Sequence, residues 1–325
     1  MTLESIFLPE PINNNSSLSD SERVDWPIGV FDSGLGGLRV LDRLIQAFPA
    51  ERFVYLGDTQ HMPYGHKTHD EVKRYVADAL HWFFTPNAAK STPVKMMIIA
   101  CNTASAVASE LFSHYEPTPF IDPVTAMCRW LVEGSRYRNI GILATPATVA
   151  SNRYRHVLDE LTSATQAEQT SKVLLTQVGC EHLATVIEEG GLGTPACEAL
   201  LVQYLTPLQT ANVEAIVLGC THYPYAEARI AALAPQSHIL DPDIYMVMEV
   251  ARLLKSRQLA THRHAIGPLA SVDYFVTAEP ARFFETSRQM PFRAIAMKPP
   301  TVITLAQETS TPSTQKFSSM ETPLA

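Results

Sequence analysis

No run of apolar residues in this 325-residue chain is long enough to cross a bilayer. The opening residues, Met1-Thr2-Leu3-Glu4-Ser5, lack the basic patch and apolar core of a secretory signal. Cysteine is scarce: there are five, an odd count with no C-x-x-C pair. That argues against a secreted disulfide framework and points to reduced thiols in the cytoplasm. Positive charge is not in excess either. With 25 Lys and Arg against 33 Asp and Glu the net charge is -8, which argues against a nucleic-acid surface. The glycines of Asp32-Ser33-Gly34-Leu35-Gly36-Gly37-Leu38 miss the G-x-G-x-x-G spacing of a dinucleotide loop, and a carboxylate precedes them.

What remains is a globular composition, 46% hydrophobic and 18% charged, on a chain long enough for two domains. Apolar runs of strand length alternate with helical patterns through most of it. Such alternation predicts an α/β protein of mainly parallel sheets flanked by helices. The predicted strands include 26–31, 52–56, 139–143, 172–178, 237–240 and 271–277. Helices are expected at 68–84, 124–133, 147–162, 194–208, 243–255 and 280–289.

Two stretches organise the rest. Met97-Ile98-Ile99-Ala100-Cys101-Asn102-Thr103-Ala104-Ser105 is an apolar run that stops at a cysteine and hands over to a helix. Ala215-Ile216-Val217-Leu218-Gly219-Cys220-Thr221-His222-Tyr223-Pro224 is built the same way. Open parallel sheets bind ligands at the carboxyl ends of their strands, where both cysteines fall. The strands ending at Asp32 and before Thr145 form a second matched pair. This pattern reads as a pseudo-duplicated architecture of equivalent halves, with the two thiols on either side of one small molecule.

A thiol at a helix N-terminus is expected to ionise more easily, because amide dipoles favour the thiolate. Cys128, Cys180 and Cys197 lack that context and read as small core residues. Two like thiols on opposite faces of one carbon suit inversion of a stereocentre. One removes a proton, the other returns one, and the roles swap in reverse. No lysine occupies a comparable strand end to form a pyridoxal Schiff base, so no cofactor is expected. His61, His66 and His69 fit no common zinc spacing, and no metal is expected. Amides at 34–38 and the hydroxyls and Pro of Ala144-Thr145-Pro146-Ala147-Thr148 suit anion binding.

In order along the chain, four segments resemble the glutamate racemases, cofactor-independent enzymes that supply D-glutamate for peptidoglycan. They are Ile28–Leu38; Leu56-Gly57-Asp58-Thr59 with Pro63-Tyr64-Gly65; Ala100–Ala104; and Leu218–Pro224. The resemblance covers about residues 26–290. It implies that Cys101 and Cys220 are the catalytic acid/bases, assisted by Asp32 and His222 respectively. It places substrate contacts on Asp32, Ser33, Tyr64, Gly65, Asn102, Thr103, Thr221 and His222, with Glu188, Thr145 and Thr148 as further matches.

The same resemblance implies two similar α/β domains with the active site in the cleft between them: a discontinuous first domain, 26–121 plus 228–295, and a second domain at 122–227. Residues 1–25 read as a mobile extension and 296–325 as a disordered tail, on composition. Glutamate is the implied substrate. A cell-wall precursor is a candidate effector, because some relatives with an N-terminal extension respond to one, and a homodimer is a candidate assembly. Three other readings stay open: an aspartate racemase of the same superfamily, a redox pair of Cys101 and Cys220, and a binding protein that keeps the fold without the chemistry.

Overall fold

Helix starts in this chain repeat one local device. A side-chain acceptor at the N-cap precedes proline at the first helical position, at Asp122-Pro123, Thr145-Pro146, Thr194-Pro195 and Asp241-Pro242. The cap satisfies an orphan amide, and proline has no amide to leave unpaired. Each device sits where a strand or loop must turn sharply into a helix.

The computed structural model describes residues 19–86, 90, 92–164, 173–262 and 270–305. In chain order the elements are α1 (Asp20–Arg23), β1 (Ile28–Asp32), α2 (Gly37–Ala47), β2 (Arg52–Gly57), α3 (His69–Phe84), β3 (Met96–Ile99), α4 (Asn102–Ala108), β4 (Phe120–Ile121) and α5 (Pro123–Glu133). Then follow β5 (Asn139–Ala144), α6 (Pro146–Ala150), α7 (Arg153–Ala164), β6 (Leu174–Gly179), α8 (Leu183–Glu188), α9 (Pro195–Thr210), β7 (Ala215–Gly219), α10 (Glu227–Leu233) and β8 (His238–Leu240). The last are α11 (Pro242–Ser256), β9 (Ser271–Val276), α12 (Pro280–Arg288) and β10 (Thr301–Val302).

Two parallel sheets result. One has six strands in the order β10-β9-β2-β1-β3-β4, the other four in the order β6-β5-β7-β8. β1 lies beside β3, the Cys101 strand, and β5 beside β7, the Cys220 strand. The matched pairs of the sequence are therefore neighbours in their sheets. Both sheets are covered on both faces. Ile28 and Val30 pack under α2 and α11, whereas Phe31 faces α3 and α4. Leu143 and Leu218 face α8 and α9, while Ile142 and Val217 face α5 and α7. Burial on both faces explains why these strands are near-continuous apolar runs.

Several expectations change. The helix expected over 147–162 is two helices, because Asn152 adopts φ 53° between α6 and α7, a left-handed backbone that asparagine tolerates. β8 falls in the segment 228–295 yet pairs with β7, so that strand belongs to the second sheet. The return to the first sheet comes at α11, where Asp241 and Asp243 bind Arg39 of α2, with 2.6 Å between Arg39 Nη2 and Asp241 Oδ2. β10, inside the segment expected as a tail, pairs with β9. Residues 306–325 lie outside the described residues, as do 1–18.

The segment 19–25 is folded rather than extended away. Arg23 is buried, and Lys95 Nζ donates to Val24 O at 2.5 Å and Leu259 O at 2.8 Å while pairing with Glu51 Oε2 at 2.7 Å. A buried ammonium needs that full set of acceptors, so the chain before β1 is held by charge as well as packing. Among the described residues no helix is long and apolar enough to cross a membrane.

Candidate active site

Cys101 ends the loop after β3 and caps α4: its Sγ accepts the Ala104 amide at 3.4 Å and lies 3.5 Å from Ser33 Oγ. The expected easing of ionisation does not win here. Burial pushes the thiol up to about 12, and the charge of Asp32 adds to it against the opposing pull of the Ala104 amide and Ser33. At neutral pH Cys101 is a thiol.

Asp32, at the end of β1, is fully buried. Its Oδ2 accepts the Gly34 amide at 2.9 Å, and the Gly37 amide also reaches the carboxylate. Oδ1 is buried with no partner among the described residues. Burial raises this carboxyl above the ordinary range, and the cationic His222 opposes that rise. A sealed carboxylate oxygen without a donor is an acceptor prepared for a ligand cation.

On the second sheet, Cys220 follows β7, and its Sγ is 3.8 Å from His222 Nδ1. The other ring nitrogen, Nε2, is 3.3 Å from Glu188 Oε2, an ion-pair distance whose angle falls short of a hydrogen bond. Burial alone would lower the imidazole's basicity. The contacts with Cys220 and Glu188 overcome it and raise His222 to about 10, so it is a cation through the neutral range. The two thiols thus sit in opposite surroundings: one beside a carboxylate, the other beside an imidazolium.

Close contacts bring the two units face to face. Gly36, at the N-cap of α2, packs so tightly on the second unit that an added Cβ would fall 2.1 Å from Thr221 Oγ1. At Gly65 an added Cβ would fall 2.8 Å from Thr145 Cγ2. Thr103 and Thr145 share a hydroxyl contact of 2.9 Å, and Thr145 and Thr148 another of 2.9 Å, so three threonines form one buried cluster across the junction. Asn102 Oδ1 accepts from Tyr154 at 3.1 Å. Tyr64 is buried with its phenol on Asp58 Oδ2 at 2.6 Å, which leaves its backbone and that of Gly65 for the cleft.

Most of the site residues named from the sequence lie on the two strand-end surfaces, while Glu188 comes from the C-terminal end of α8 and reaches His222. Asp58 and Tyr154 were missed. Asp58 stood in a quoted motif, and its role shows only when Tyr64, His61 and Thr277 are seen converging on it. Tyr154 carries no local signal, since its partner is 52 residues away. His61 is taken by Asp58 at 2.9 Å and stacks on Tyr75, and His69 Nε2 reaches Ala147 O at 3.3 Å. Among the described residues no group of three or more His, Cys, Asp or Glu is placed to hold a metal ion. All five cysteines are buried and free.

Similarity to known proteins agrees with this geometry. The Asp/Glu/Hydantoin racemase family model matches residues 28–248. The glutamate racemase of Trichodesmium erythraeum is 34% identical over 264 residues, covering 81% of this chain and 90% of that protein. The crystal structure of glutamate racemase from Francisella tularensis in complex with D-glutamate superposes with a TM-score of 0.74 at 27% identity, covering 87% of this chain and 98% of that one. The Thermus thermophilus glutamate racemase, in complex with beta-chloro-D-alanine, gives 0.71 at 30% identity, covering 87% and 98%. The match spans both sheets and both cysteines, and the chain belongs to the Asp/Glu/hydantoin racemase family.

Proposed function

We propose that this protein interconverts L- and D-glutamate by proton transfer between Cys220 and Cys101, supplying D-glutamate for peptidoglycan in the cytoplasm. The observation that carries the reading is the unlike setting of two like thiols. His222, 3.8 Å from Cys220 Sγ, gives a negative sulfur its counter-charge, while burial keeps Cys101 protonated. Inversion requires one base and one acid, and this reading gives those roles in one direction to Cys220 and Cys101 respectively.

In one direction the Cys220 thiolate takes the α-proton. An S–H bond forms, the Cα–H bond breaks, and its electron pair spreads into the adjacent carboxylate. Cys101 then delivers its proton to the opposite face and is left as the thiolate. The reverse reaction restores the starting state. Side-chain donors at Ser33, Asn102, Thr103 and Thr221 and the amides near Gly65 suit the developing negative charge. The free Oδ1 of Asp32 suits the substrate ammonium. Thr145 and Thr148, clustered with Thr103, suit the distal carboxylate. A cell-wall precursor as effector and a second copy as dimer partner are tested on the same preparation, by activation and by sedimentation.

The deciding experiment is α-proton exchange of each glutamate enantiomer in heavy water by NMR, with chelator present and no pyridoxal phosphate added. Exchange accompanied by inversion is the expected result. Exchange of aspartate alone would move the specificity to that amino acid, and no exchange of either would sink the reading.

The pH profile carries a signed expectation. His222 is cationic below about 10 and neutral above it, so kcat/KM holds through the neutral range and falls as pH rises through that value. The Cys101 thiol, pushed up to about 12, is lost later. His222→Asn is expected to remove the limb near 10 and lower kcat/KM by about 10²-fold. Because the two enantiomers are equally stable, that fall must be equal in both directions. Once the limb set by the free substrate's own ammonium is divided out, a wild-type profile flat beyond pH 10, or a variant that keeps a limb there, would refute the assignment.

A further inference from the structure

Tyr154 lies outside the strand-end loops, on α7, and is fully buried. Its hydroxyl is 3.1 Å from Asn102 Oδ1, on the residue that follows Cys101. A phenol sealed from water must give its proton to an acceptor, and among the described residues that oxygen is the one its hydroxyl bonds. The requirement settles the asparagine, whose amide has two nearly isosteric orientations: one presents a donor pair, the other an acceptor. With Oδ1 held by Tyr154, Nδ2 points along the opposite branch. There it has no protein partner among the described residues, and unlike Asp32 Oδ1 it is not sealed off as a buried orphan.

We propose that Tyr154 is a positioning residue that locks the Asn102 amide with Nδ2 presented to the cleft, so that the site accepts a carboxylate oxygen there. This rests on the racemase reading for its consequence in turnover. Of the groups of a free amino acid, only a carboxylate can accept from Nδ2; the ammonium can only donate. Released from Tyr154, the amide turns over freely and presents its own oxygen part of the time, which repels the carboxylate. The bond also joins the units, because α7 belongs to the second sheet and α4 to the first. The donor is therefore set correctly only when the two are packed together.

Tyr154→Phe keeps the ring and removes the hydroxyl. The expected result is a rise in KM of about tenfold for both glutamate enantiomers, with kcat changed less than about threefold. In an Asn102→Ala background the same change is expected to add nothing, since the tyrosine acts through the asparagine. An unchanged KM, or an equal rise in the Asn102→Ala background, overturns the proposal. A second readout is independent of turnover: the 15N-resolved side-chain amide signals of Asn102 should shift and broaden in Tyr154→Phe while the backbone spectrum away from α4 and α7 stays in place. Signals that do not move overturn it even if the protein proves inactive on glutamate, and shifted signals uphold it in that case.

Discussion

Alanine at Cys101 or at Cys220 is expected to lower two-way racemisation by about 10³-fold or more, since in the proposed two-base reaction each change removes the proton carrier of one face. The more informative result is what survives. With Cys101 gone, the sulfur beside His222 can still take the α-proton from its own face and return a solvent deuteron to that same face. One enantiomer then exchanges without inverting. With Cys220 gone, the opposite enantiomer should exchange. That exchange should be slow at neutral pH and rise as pH rises, because Cys101 must first ionise from a thiol pushed up to about 12. Deuterium incorporation by NMR and optical activity by circular dichroism separate these outcomes. A single variant that racemises at the normal rate, or two variants that exchange the same enantiomer, would end the two-base account.

The sheets were legible in the sequence because a strand buried on both faces is an unbroken apolar run, as in β1, β3, β5 and β7. The cysteines were legible because each ends such a run and begins a helix. What the sequence could not supply is where long-range pairing overrides composition. Residues 19–25 have the makeup of a loose extension, yet Lys95, some 70 residues on, needs the carbonyl of Val24 to complete its shell. The tail segment carries polar residues, yet Thr301 and Val302 find an open edge beside β9. β8 was assigned to the wrong sheet because a three-residue strand carries no address of its own.

The electrostatics of the site were the least legible part. A cysteine at a helix start reads as a thiolate, since the local amides favour charge. In the fold Cys101 is both buried and beside the Asp32 carboxylate, and those two effects outweigh the amide of Ala104. Neither neighbour is visible in the residues that flank the cysteine. The surroundings of the two sulfurs differ accordingly, with a carboxylate beside Cys101 and the His222 ring beside Cys220.

Gly36→Ala is expected to cost about 10²-fold in kcat/KM while leaving each sheet folded. The backbone does not ask for glycine here: φ is -59° and ψ -35°, ordinary helical values that alanine adopts freely. The cost comes from contact alone. The new methyl would stand 2.1 Å from Thr221 Oγ1, 2.7 Å from Thr221 Cβ and 3.1 Å from His222 Cε1, and the first two distances are shorter than atoms tolerate. Thr221 follows a strand end and has little room, so the relief must come from the units moving apart by a fraction of an ångström to an ångström. Cys101 and Cys220 belong to different units, and in the proposed two-base reaction a substrate carbon has to meet both. A widened cleft therefore weakens proton transfer at both faces without touching either sulfur. Deleting the obstructing side chain, Cβ included, supplies the control. If the clash is the cause, the fold-loss from Gly36→Ala should be much smaller in a Thr221→Gly background than in the wild type. Gly36→Ala with a normal rate, or an equal loss in both backgrounds, would show that the spacing of the two units is not what this glycine protects.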